Sequence, residues 1–385
     1  MNMFFLHLLI KKIIHFALHV FWVFPVKRNR ITLLNDMSYT YGDSMKYINE
    51  YLVKNCKNKY EGIFPVKDKN AMVGENCIAV KRNTIKFFFY LLTSSVIITN
   101  SGGVSYLPLR KTQFAISTWH GGGPYKKTGN SFIKNKWYEE EMRMHKKNVR
   151  HILSSCKYFT DYEAKAMLFS EKDCVPCGMP RNDIFFQQEP SIREKVYEHY
   201  GLEKESRLVL FAPTFRTAQQ DPYTKKLHVS TLDIQRAVNA IKNRFGGNSW
   251  NFGIRLHPKL SNADIAEKDV IDCTGYSDIQ ELLYSADILI TDYSSLMWDF
   301  SLTGRPCFLY ADDIDVYEKE HGFYMPSSQW PYPIARDNDE LEKNIVSFDK
   351  ETYQAALKKH HEDCGSYEQG KACEQIFKLI ENNKE

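Results

Sequence analysis

Residues 287–310, "DILITDYSSLMWDFSLTGRPCFLY", hold a complete supersecondary unit in one stretch. The apolar run from Ile288 stops at Thr291, Asp292, Ser294 and Ser295, an apolar helical stretch follows, and Gly304, Arg305 and Pro306 end it before a second apolar run from Cys307. Neither run alternates with polar residues, so both faces of each strand are expected to be covered, as in a parallel sheet. Hydroxyls at a helix start cap free amides and favour an anion there, so Ser294 and Ser295 are candidate phosphate ligands.

The same pattern extends outward. "RLVLFAPTFR" (207–216), a helix over about 231–244, "WNFGIRLHP" (250–258), "VIDCT" (270–274) and "DIQELLYSA" (278–286) precede the opening stretch. An earlier series comprises "ITLLND" (31–36), "GDSMKYINEYLVKN" (42–55), "FFFYLL" (87–92) leading into "SVIITNSGG" (95–103), and "QFAISTWHGGG" (113–123). It continues through the helical "FTDYEAKAMLF" (159–169) and closes near 186 with "VPCGMPRNDIFF". At 385 residues two domains are expected. The pattern predicts an α/β chain of two Rossmann-like, doubly wound domains facing a cleft, with ligands at the carboxyl ends of the strands. The expected boundaries are an N-terminal segment 1–30, a domain 31–186, a polar, helical connector 187–206 and a domain 207–385.

Apolar content of 43% and charged content of 25% are those of an ordinary folded protein. The net charge of +4 is uneven: residues 1–30 hold Lys11, Lys12, Lys27, Arg28 and Arg30 and no acid, which leaves the rest of the chain near neutral. The folded body shows no basic stripe, which argues against a nucleic-acid partner. Nine scattered cysteines, without a secretory pattern, point to a reducing compartment. Cys174 and Cys177 form a CxxC without a second ligand pair at zinc spacing, so a structural part is expected and no metal.

In "FFLHLLIKKIIHFALHVFWVF" (4–24), Lys11, Lys12, His15 and His19 gather on about a quarter of a helical wheel, and apolar residues fill the rest. A span would place both lysines inside the bilayer at roughly 2.5–3.5 kcal/mol each. An amphipathic helix lying on an anionic membrane surface fits better, with Trp22 and "KRNR" (27–30) among headgroups; the plainer alternative is a helix docked on the protein's own body.

Polar residues cluster where strands stop. His120 can act as a base near neutral pH, Gly121, Gly122 and Gly123 admit a close ligand, and Lys126 and Lys127 can attract phosphates. Arg216 and His257, at two further junctions, can serve as donors to the same anion. Two better-known motifs fail. A Walker loop needs Gly directly before its Lys, where "YKKT" has Lys126, and an "HGGG" oxyanion loop needs a GxSxG elbow that the chain lacks.

Taken in order, "TWHGGGPYKKTG", "GMPRND", "LFAPTFR", "IRLHP" and "YSDIQELLYSADILITDYSSLMWDFSLTGRPCFLY" resemble the CDP-glycerol glycerophosphotransferase family of teichoic acid and capsule polymer enzymes. The resemblance implies a GT-B architecture as a single unit without an appended N-terminal sugar-transferase domain, peripheral attachment at the cytoplasmic face of the membrane, and transfer of an alditol phosphate from CDP-glycerol or CDP-ribitol to an acceptor hydroxyl. It implies His120 as the base and His257 at the donor diphosphate, with Ser294 and Ser295 on the phosphates. Arg216, Arg255, Thr214 and Asp292 join the donor set, and Gly121–Gly123, Lys126 and Lys127 the acceptor side. No cofactor or metal is expected, and a homo-oligomer is left open. Three glycines before Pro124, where relatives have Gly-Thr-Pro, leave the alditol and the glycan or polyol-phosphate acceptor open. A nucleotide-sugar GT-B transferase and a non-catalytic scaffold are the competing readings.

Overall fold

The computed structural model describes residues 3–56, 59–68, 70–214, 231–247, 249–256 and 270–383. The chain divides into two compact units, Met1–Gln187 with Cys364–Glu385, and Gln188–Asp363.

The first unit is built on seven parallel strands: β1 (Lys27–Leu34), β2 (Glu61–Val66), β3 (Cys77–Lys81), β4 (Ser94–Thr99), β5 (Phe114–Ser117), β6 (Val149–Ser154) and β7 (Cys174–Pro176). Their order is β3-β2-β1-β4-β5-β6-β7. Winding reverses between β1 and β4, which pair in register from Ile31 with Val96 to Leu34 with Thr99. Helices cover both faces of such a sheet, and β4 and β5 are accordingly buried throughout. The loops after β1 and β4 flank the switch point where doubly wound sheets bind ligands.

The second unit has six parallel strands: β8 (Arg207–Ala212), β9 (Trp250–Ile254), β10 (Val270–Asp272), β11 (Ile288–Thr291), β12 (Cys307–Tyr310) and β13 (Ile334–Ala335). In the order β10-β9-β8-β11-β12-β13 the winding reverses between β8 and β11. The opening stretch of the sequence supplies β11 and β12 and the helix Leu296–Ser301 between them. Arg305 joins this unit together, its guanidinium bonding the carbonyls of Leu283, Tyr284 and Ala286 at the end of the preceding helix.

Two expected boundaries differ. The connector forms the helix Pro190–Tyr200, which buries Val196 and Tyr197, and its Arg193 bonds Asp287 at 3.0 Å, so it belongs to the second unit. The last residues return to the first unit. The carboxylate of Asp183 accepts the free amides of Ala372 and Cys373 at 3.0 and 2.9 Å, capping the helix Ala372–Asn382. That helix buries Ile376 and Ile380, and Glu368 accepts from Met179 N and Asn182 Nδ2. A tail of ordinary amphipathic sequence does not reveal which sheet it packs on.

The N-terminal helix Met3–Leu18, continued by a 3-10 turn His19–Val23, docks on the first unit by the side that carries Lys11 and His15, with Leu8 and Leu18 buried beside them. Lys11 meets Glu141 and Ser105, His15 Nδ1 lies 3.2 Å from the Tyr106 carbonyl, and Trp22 donates to the Pro108 carbonyl at 2.8 Å. The apolar face is left outward, with Ile13 61% and Phe16 81% exposed. "KRNR" opens strand β1: Arg30 is buried against Glu61 at 2.6 Å and Thr93 at 2.8 Å, so it is taken up by the sheet, while Lys27, Arg28 and Asn29 stay exposed.

Candidate active site

At the first switch point, β4 ends in Asn100 and β5 runs into Thr118, Trp119 and His120. His120 Nδ1 lies 3.1 Å from the Asn100 carbonyl. A carbonyl only accepts, so Nδ1 carries the proton and the Nε2 lone pair is left to take another. Asn100 is itself fixed: its amide donates to Asn35 Oδ1 at 2.8 Å and Asp43 Oδ2 at 2.6 Å, and its Oδ1 accepts from Asp36 N at 3.1 Å. Asp43, in the left-handed region at φ 54°, also receives Arg181 Nη1 at 3.1 Å.

His120 is half-buried, and desolvation by the surrounding protein lowers its pKa to about 4; the Asn100 carbonyl and Asp43 oppose this, and Arg181 and Lys126 add to it. His120 is therefore neutral near pH 7, the form a base requires.

The loop after His120 is held rather than pliable. Gly121, Gly122 and Gly123 are buried, and Ser155, at the end of β6, donates to the Gly122 carbonyl. The left-handed conformation falls on Trp119 at φ 57° instead. Its indole packs against His120 with centroids 4.2 Å apart and the ring planes inclined by 39°. Lys126 and Lys127 are half-exposed farther along the loop.

At the second switch point the loops after β8 and β11 are bonded together. Thr214 donates its amide and its hydroxyl to Asp292 Oδ2, both at 2.9 Å. Beyond the buried Asp292, Ser294 Oγ accepts from Leu296 N at 3.3 Å and Ser295 is the N-cap residue of Leu296–Ser301. This helix is short, so hydroxyls and loop amides, more than a long dipole, are what an anion would meet here. Arg255 Nη1 bonds the carbonyls of Cys273 and Tyr276 at 3.1 and 2.7 Å, bracing the chain after β10. Arg216 and His257 lie outside the described residues.

The structure thus brings His120, the glycines and both lysines onto one loop of the first unit, and Thr214, Asp292, Ser294 and Ser295 onto adjacent loops of the second. Sequence reasoning missed Asn100, Asp43 and Arg181. Arg181 lies in "GMPRND", and Asn100 follows a strand end, as His120, Thr214 and Asp292 do. Cys174 and Cys177 are free thiols whose pKa burial raises, Cys174 to about 11. Among the described residues no group of three His, Cys, Asp or Glu side chains is disposed to hold a metal ion.

Two parallel doubly wound sheets, each carrying polar loop residues at its switch point, define a two-domain α/β protein with a site on each domain. The model of the CDP-Glycerol:Poly(glycerophosphate) glycerophosphotransferase family matches residues 16–382, and the chain belongs to that family. It is 30% identical to a teichoic acid poly(glycerol phosphate) polymerase of Staphylococcus epidermidis, over 88% of this chain and 48% of that protein. It is 26% identical to a teichoic acid ribitol-phosphate primase of Bacillus spizizenii, over 92% of each. The solved wall teichoic acid polymerase TagF superposes with a TM-score of 0.85 at 26% identity, over 98% of both chains. The chain spans about half the length of the polymerases it matches in Staphylococcus epidermidis and, for poly(ribitol-phosphate), Bacillus spizizenii.

Proposed function

We propose that the chain transfers an alditol phosphate, glycerol phosphate first among the candidates, from a CDP-linked donor to a hydroxyl of a glycan or polyol-phosphate acceptor during cell-envelope polymer synthesis. His120 Nε2 takes the proton of the acceptor hydroxyl. The oxygen attacks the phosphorus bearing the alditol, the bond from that phosphorus to the bridging oxygen breaks, and CMP leaves. Thr214 and Asp292 hold the loop on which Ser294 and Ser295 meet the donor phosphates, and His257 and Arg216 are assigned to the same donor. Lys126 and Lys127 draw in an anionic acceptor. In-line phosphoryl transfer needs mainly positioning and charge stabilisation, so no metal is assigned. The reading places the outward apolar face of the N-terminal helix in the cytoplasmic leaflet.

The observation that carries the proposal is the Asn100 carbonyl on His120 Nδ1, which leaves a neutral imidazole with its base nitrogen available. The test is CMP release from CDP-glycerol and from CDP-ribitol with a defined acceptor, with and without EDTA. His120→Ala should lower kcat by about 10²–10⁴-fold. Turnover with neither donor, or a His120→Ala rate within a few-fold of the unmodified chain, overturns the reading.

A further inference from the structure

Glu163 is a buried carboxyl that the chemistry above does not use. It lies on Phe159–Ala164, wound as a π-helix, a rare geometry that recurs at functional sites. One oxygen of Glu163, Oε1, accepts from Trp119 Nε1 at 2.8 Å and from Thr128 Oγ1 at 3.2 Å. Trp119 directly precedes His120 and Thr128 directly follows Lys127. A single atom therefore ties both ends of the loop that carries the base, the glycines and the lysines.

Three further observations show why that loop needs holding and where it is held. A tryptophan in the left-handed region costs on the order of 1–3 kcal/mol, so Trp119 stays there only if its surroundings impose it. Its indole packs against the His120 ring at a tilt, with centroids 4.2 Å apart, so a displaced indole removes the support beside the imidazole. The loop leaves across the same helical segment: Gly129 sits at φ 53°, and a Cβ added there would come within 2.5 Å of the Ala166 carbonyl oxygen. Burial raises the Glu163 pKa to about 8, with Trp119, Thr128 and Lys126 opposing, so a neutral side chain is compatible with this place.

We propose that Glu163 is a positioning residue for the transfer: by receiving Trp119 and Thr128 on one oxygen it holds the indole, and through it the His120 ring, against the acceptor hydroxyl. This rests on His120 being the base. Glutamine presents the same acceptor oxygen without charge and should substitute; alanine cannot. Trp119→Phe keeps the ring and removes the donor, so it should reproduce the alanine defect.

The test uses the full chain with CDP-glycerol or CDP-ribitol, whichever turns over. Glu163→Ala is expected to lower kcat by about 10- to 100-fold with the donor KM within about threefold, as for a misplaced catalytic group. Glu163→Gln should stay within about threefold of the parent in both, and adding Trp119→Phe to Glu163→Ala should cost little more than either change alone. A second readout needs no activity: trypsin should cut after Lys126 and Lys127 faster in Glu163→Ala and Trp119→Phe than in the parent or Glu163→Gln. The proposal is overturned if Glu163→Ala keeps its kcat, if glutamine is as damaging as alanine, or if trypsin cuts all four chains alike. An active His120→Ala would instead remove the base assignment, and the trypsin comparison would still decide whether Glu163 holds the loop.

Discussion

Replacing Ile13 and Phe16 together by serine tests the membrane assignment where the structure makes it most exposed. Moving a fully exposed Ile or Phe side chain out of water is worth about 1.5–3 kcal/mol. Scaled by the 61% and 81% exposure of these residues, the pair would contribute roughly 2–4 kcal/mol to the proposed membrane binding. At about 1.4 kcal/mol per tenfold, that is a loss of about 30- to 1,000-fold in partitioning. The assay is flotation with vesicles of mixed anionic and zwitterionic phospholipid. Neither serine disturbs a contact that docks the helix, so the thermal midpoint should barely move. Lys11→Met is the converse control: it breaks the Glu141 and Ser105 contacts on the docked side, so it should lower stability while leaving vesicle binding largely in place. If the double serine variant binds vesicles within about threefold of the parent, the outward face is not what holds the membrane, and the reasoning from exposure fails.

The pH profile follows from the lowered pKa of His120, about 4. A base already neutral at pH 7 gives a transfer rate flat from about pH 6 to 8, with an acid limb near 4, and a limb centred at 6.5 would contradict the assignment. Because the fold favours neutral imidazole at His120 and at His145, also lowered to about 4, these groups contribute stability above pH 6.5. That stability falls as the pH drops from 6.5 towards 4, and His145→Leu should flatten part of the fall in a melting series. Thr214→Val removes one of two bonds to Asp292 and should cost about 1–2 kcal/mol, read as a midpoint lowered by roughly 2–8 °C. Gly129→Ala combines a left-handed backbone with a clash on a carbonyl that cannot swing aside, so it should destabilise by about 1–3 kcal/mol and slow transfer, measured by melting and CMP release.

The α/β class, the two series of strands and the strand-end positions of His120, Thr214, Asp292 and Ser294 were legible because all depend on local pattern. Apolar runs without alternation mean parallel strands, and a polar residue after such a run lies at the strand's carboxyl end whatever surrounds it. The family resemblance rested on the same local stretches. Strands such as β2, with Pro65 inside it, were less legible, since their pairing depends on neighbours distant in the chain.

Partnership was decided only in three dimensions. Sequence showed that the N-terminal helix has a polar and an apolar side; the fold determined that the polar side faces the protein, where Glu141 neutralises Lys11, leaving the apolar side outward. Sequence showed three glycines after His120; the fold buried them and moved the left-handed strain to Trp119. The carboxyl that receives Trp119 lies on a helix 44 residues later. Hydrogen bonds and ion pairs link atoms brought together by folding, and no spacing along the chain records which acid a given tryptophan or lysine will meet.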